Sequence, residues 1–187
     1  MTRFVLPVIT CALAVASARP ASAQTPTSLS SRTNAIVASF NKSKHVVKEK
    51  RGVRLEKYKE VRSEAVVRSD RSTYSGNYLI PDLGFTLNLR VTPDGRVNGS
   101  GEEPLSDDDS RISRRFTVSG KVDGALLTGT KAYANGNEER LEGVFINRTS
   151  FESPTDRGST VFGLGVTSSP RQINGNTIDR LFYERQR

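Results

Sequence analysis

From Tyr74 to the C-terminus, apolar residues recur at every second position, and pairs of turn residues interrupt them at short intervals. Phe85, Leu87, Leu89 and Val91 alternate with Thr86, Asn88 and Arg90, and Pro93-Asp94-Gly95 follows. This order predicts a β-hairpin: successive strand side chains point to opposite faces, and Asp-Gly readily takes the backbone of a tight turn. The pattern repeats through Asp123-Gly124 and Asn135-Gly136. Eight strands are expected, over residues 74–80, 85–91, 97–101, 116–122, 126–133, 141–147, 161–166 and 178–183.

Short strands at this spacing describe an antiparallel meander. Gly99, Gly101, Gly120, Gly129, Gly143, Gly163 and Gly165 all fall inside it. Glycine weakens a flat strand but permits the bends of a small closed barrel, and closure removes exposed edges. A β-barrel over 73–187 is therefore preferred to a sandwich. Phe85, Leu87, Leu89, Phe116, Val118, Phe145, Phe162 and Leu164 are expected to point inward. They are bulky, so a filled interior is the expectation and a small apolar pocket the alternative.

The N-terminus has a different character. Met1-Thr2-Arg3 is a short positive start, Phe4 to Ala18 is apolar, and Ala21-Ser22-Ala23 is an A-x-A cleavage site. Residues 1–23 read as a signal peptide, with an uncleaved membrane anchor as the alternative. The exported chain is expected to be periplasmic or secreted, to begin at Gln24, and to contain no transmembrane segment. Cleavage removes Cys11, the single cysteine, so disulfides and cysteine-based metal or redox sites have no residue to use.

Residues 24–72 form the third region. They carry twelve Lys/Arg against five Asp/Glu, a balance of +7, whereas 73–187 carry fourteen against fifteen, a balance of −1. Ile36, Val37, Phe40 and Val47, with Lys44 joining through its aliphatic stem, recur at steps of three and four, and Gly52 follows Lys48-Glu49-Lys50-Arg51. The spacing predicts a helix over about 31–51. Leu55, Tyr58, Val61 and Ala65 suggest a second, shorter helix that becomes extended near Ala65, although Val61 and Ala65 to Val67 also suit a strand. The expectation is a basic, largely helical arm preceding the barrel.

The run from Gly76 to Gly124 resembles the opening of the avidin-like small barrels. The matching features are Gly76-x-Tyr78, Leu83-Gly84, the alternating strand, Asp94-Gly95-x-Val-x-Gly, and Arg115-Phe116-x-Val-x-Gly. The resemblance implies the barrel architecture. It does not extend to biotin, because that family lines its pocket with tryptophan and this chain has none. Pro81 and Phe85 stand near where polar pocket residues would be expected, and the basic arm has no counterpart there.

Chemistry-bearing residues are few. His45, the single histidine, lies in a basic stretch and is expected to be a surface residue, and no G-x-S-x-G elbow supports a serine hydrolase. Asp107-Asp108-Asp109, with Glu102 and Glu103 upstream, lacks the D-x-D-x-D-G order of a calcium loop and is expected to be a solvated connection. No catalytic residue, metal ligand or cofactor is assigned. The interaction candidates are Lys42, Lys44, Lys48, Lys50, Arg51, Arg54, Lys57, Lys59 and Arg62, offset only by Glu49, Glu56 and Glu60. Such a stretch attracts anionic surfaces: an envelope polymer, lipid headgroups or an acidic protein. Export argues against nucleic acid as the partner. The leading expectation is non-catalytic binding through the basic arm or a barrel end. A lipocalin- or avidin-like small-ligand carrier is second, and a carboxylate-dependent hydrolase third.

Overall fold

A computed structural model of the protein describes residues 26–50, 53–104, 113–173 and 176–187. The expected signal segment 1–23 and the Asp107–Asp109 run lie outside them. The described chain opens with helix α1 (Pro26–Ser39) and continues as ten strands. These are β1 (Lys42–Lys50), β2 (Val53–Ala65), β3 (Gly76–Ile80), β4 (Phe85–Val91), β5 (Arg96–Pro104), β6 (Ser113–Asp123), β7 (Leu126–Tyr133), β8 (Glu138–Phe151), β9 (Ser159–Ile173) and β10 (Asn176–Arg185).

All pairings are antiparallel. The strand order β8-β7-β6-β5-β4-β3-β10-β9 returns to β8 through a β8–β9 pairing, which closes an eight-stranded barrel. The eight strands are those expected from the alternation. The turn glycines Gly95, Gly124 and Gly136 have φ of 88°, 59° and 84°, the left-handed backbone that glycine adopts without steric cost. The expected inward residues line the interior: Phe85, Leu87, Leu89, Phe116, Val118, Phe145 and Leu164 are at most 3 % exposed, and Phe162 packs against them. A 3-10 turn at Arg71–Tyr74 seats Tyr74 at one end of this core. Its ring stacks on Phe145 at 4.2 Å, and its hydroxyl donates to the Val66 carbonyl at 2.6 Å.

The arm differs from its sequence expectation. Helix α1 ends at Ser39, and residues 42–50 and 53–65, expected to be helical to about 51 and beyond, form the β1–β2 hairpin. The reason lies in β8 and β9, which outrun the barrel. Strand β8 pairs with β7 from Glu138 to Val144; from Ile146 to Phe151 the same edge is taken by β2, residues Ala65 to Glu60. Without β2 the overhang would present an unpaired backbone edge. Val53, Leu55 and Val61 fit period two as well as a helical step, and this long-range pairing decides between them.

Helix α1 lies outside the barrel. Ile36 and Phe40 pack on Leu126, Val144, Ile146 and Phe182, the outward residues of β7, β8 and β10. Arg32 adds a 2.5 Å ion pair to Glu142. The seat for the helix depends on missing side chains in β9. A Cβ on Gly165 would fall 2.7 Å from the Phe40 ring, and one on Gly163 would fall 2.8 Å from Phe182. Among the described residues no helix is long and apolar enough to cross a membrane.

Candidate functional site

The β1–β2 hairpin sorts the basic residues in a way a helix could not. Its register pairs Lys42 with Val61, Lys44 with Lys59, Val46 with Lys57, Lys48 with Leu55, and Lys50 with Val53. Directly opposed residues of antiparallel strands share a face, and so do residues two apart. Lys42, Lys44, Lys48, Lys50, Lys57 and Lys59 therefore occupy positions of one face, together with valine and leucine and without a single acid. Lys42, Lys44, Lys57 and Lys59 are exposed.

The other face holds the compensating charges. Glu60 stands there opposite Ser43, Glu56 opposite Val47, and Glu49 opposite Arg54. Arg62 donates to Glu60 through Nε at 2.7 Å and Nη2 at 3.2 Å, and its guanidinium lies 5.0 Å from the Phe151 ring centroid. The Tyr58 hydroxyl also donates to Glu60. Arg62 first and Tyr58 second hold the Glu60 carboxyl below its ordinary range. The nine sequence candidates thus divide. Six lysines come together, Arg54 and Arg62 fall on the opposite face, and Arg51 lies outside the described residues. His45 is on that opposite face by register, across from Tyr58.

The lysine face carries an internal conflict. Lys44 and Lys59 are a directly opposed like-charge pair, which destabilises a sheet. Cations grouped on one side of a two-stranded projection focus a positive potential over that side.

A pocket of about 350 Å³ opens at the root of this face, lined by Lys42, Arg148 and Arg180 and by Asp82, Asp179 and Glu184. Arg180 donates to the Ser39 carbonyl at 2.6 Å and to Asp179 at 2.9 Å. The Arg180 guanidinium, with a smaller contribution from Lys42, holds the Asp179 carboxyl below its ordinary range. Arg148 lies over the Phe182 ring at 5.2 Å, and its Nε is shielded from solvent with no hydrogen-bond acceptor among the described residues. Sequence reasoning did not single out Arg148; outward alternation from Val144 and Ile146 was the available signal.

A second polar cluster lies inside the barrel, where a filled apolar core or a small apolar pocket was expected. Glu103 is fully buried in β5 and is not part of a solvated acidic loop. Arg114 Nε and the Tyr133 hydroxyl donate to its Oε1 at 2.8 and 2.7 Å, and Lys131 donates to Oε2 at 3.2 Å. Glu139 joins through Tyr133 at 3.0 Å and Arg114 at 3.2 Å. Lys131 is 4 % exposed and also sits 4.5 Å from the Phe116 ring centroid. Glu103 shares the inward parity of Val97, Gly99 and Gly101, and Lys131 that of Leu127 and Gly129. Alternation was thus the signal for this cluster, set against the rule that charges face water.

An outward groove of about 890 Å³ crosses β3 to β7, floored by Asn77, Thr86, Asn88, Ser100, Glu102, Arg115 and Thr117. Within it Asn88 donates to Asn77, and Arg115 lies 3.6 Å from Glu102. Among the described residues, no group of three His, Cys, Asp or Glu side chains is placed to hold a metal ion. No protein-family model matches the chain, and no curated protein or solved structure matches it.

Proposed function

We propose that this is an exported, non-catalytic binding protein whose β1–β2 hairpin contacts an anionic partner: an envelope polymer, a lipid surface or an acidic protein. The observation that carries the reading is the single-faced array of six lysines on a hairpin supported by the barrel overhang. The lysines are not needed to neutralise acids of the hairpin, because those acids lie on the other face. Their grouping destabilises the free protein and is relieved by a bound anion.

The two other readings have less support. A carrier needs interior space, and the inward positions are occupied by Tyr74, Tyr78, Phe85, Phe145 and Tyr183, all at most 2 % exposed. A carboxylate-dependent hydrolase needs an acid free to exchange protons with substrate, and both oxygens of Glu103 are engaged by Arg114, Tyr133 and Lys131.

Affinity for dextran sulfate, measured as a function of salt, tests the proposal. Screening shortens from about 10 Å at 0.1 M to about 3 Å at 1 M ionic strength, so binding should weaken steeply over that interval. Affinity that does not change with salt would remove the electrostatic reading. Export is tested separately by mass spectrometry of the protein recovered from its natural host. The expected chain begins at Gln24, and recovery of the protein with residues 1–23 attached would contradict cleavage.

A further inference from the structure

The β1 strand lies at the end of the sheet order and has β2 as its one strand neighbour among the described residues. Alternate backbone N–H and C=O groups along its 9 residues therefore face away from β2. Proteins protect such edges with proline, bulges, short length or charge. Strand β1 contains no proline, its register with β2 runs without a shift, and it is longer than an average strand. Among the described residues its guard is charge, and on the face that carries Val46 that charge is of one sign.

That guard is selective. If a second copy paired with β1 in the register centred on Val46, Lys42 would stand opposite Lys50 and Lys44 opposite Lys48, so like charges would oppose each other along the row. An incoming strand with acids at alternate positions would meet the same row with opposite charge. Its backbone would satisfy the open edge while its carboxylates faced the lysines.

We infer that β1 is a β-augmentation site for an extended acidic segment of a partner protein, one that carries Asp or Glu at every second residue. The inference rests on the proposed anionic partner and adds its class and its mode of binding. Backbone pairing supplies affinity, and the lysine row supplies selection.

The test uses the full chain and a synthetic peptide of the same length as β1, alternating Glu and Thr with Val at its centre. The peptide reads the same in both directions, so its acids meet the lysine row whether it pairs parallel or antiparallel. Two isomers carry backbone N-methyl groups, one on the Glu set and one on the Thr set, with charge unchanged. Strand pairing predicts that the unmodified peptide binds, that one isomer loses about tenfold or more in affinity, and that the other binds like the parent. If dextran sulfate binds while both isomers match the parent, augmentation is wrong and the electrostatic proposal stands. If dextran sulfate binds and the unmodified peptide does not, augmentation is likewise overturned. Failure of both probes at low salt removes both proposals.

Discussion

Glu103→Ala is expected to lower the unfolding free energy by about 3–5 kcal/mol, because it breaks the buried ion pair of Glu103 with Lys131. For a domain whose total stability is of the order of 5–15 kcal/mol, that is a large share. The Tyr133 hydroxyl and the Arg114 guanidinium would lose an acceptor in the same step. Glu103→Gln should cost less, since it keeps the shape and one acceptor but not the charge. Replacing Glu103 and Lys131 together by Leu and Met should recover most of the loss, because an apolar pair of similar volume removes both desolvation costs. Urea melts read all three variants, with a shifted midpoint and an unchanged slope for each. A loss below about 1 kcal/mol for Glu103→Ala would mean that water reaches the cluster and screens it.

The second large effect concerns binding. Reversing Lys42, Lys44, Lys57 and Lys59 to Glu should lower affinity for dextran sulfate by about 100-fold or more at low ionic strength, and the difference should shrink as salt is added. The fold should survive, because these four side chains are exposed. The single variant Lys44→Glu separates stability from binding. It converts the opposed Lys44–Lys59 pair into an attractive one and should stabilise the hairpin by about 0.2–1 kcal/mol while weakening anion binding. Loss of both stability and binding in Lys44→Glu would indicate that the lysine packs against something beyond β2.

These effects follow from parts of the chain that differed in how plainly the sequence announced them. The barrel was legible because its information is local. The alternation of Phe85, Leu87, Leu89 and Val91, and the glycines after Asp94, Asp123 and Asn135, each sit within a few residues of the strands they define. The arm was not legible for the opposite reason. Residues 53–65 become a strand because β8 runs on to Phe151 and offers an edge, and nothing near Val53 records that. Gly52 suits a hairpin turn as well as a helix end, and only pairing distinguishes the two. The same ambiguity hid the character of the site. On a helix the lysines and glutamates of 42–62 would interleave around the axis, whereas a period of two sends six lysines to one face and all three glutamates to the other. The buried cluster was missed although its parity was correct. Glu103 and Lys131 each occupy an inward position, but a charge becomes acceptable there only with partners from neighbouring strands, and those partners are a property of the closed barrel.

The most direct measurement compares the two faces of the hairpin. Dextran sulfate affinity at low salt would be determined for the native chain, for a variant with Lys42, Lys44, Lys57 and Lys59 changed to Gln, and for a variant with Arg54 and Arg62 changed to Gln. If the lysine face is the binding surface, the first variant loses most of its affinity and the second stays close to native, because Arg62 is already engaged by Glu60. Equal losses per charge removed from either face would show that only net charge matters, and would contradict the assignment of the lysine face as the functional surface.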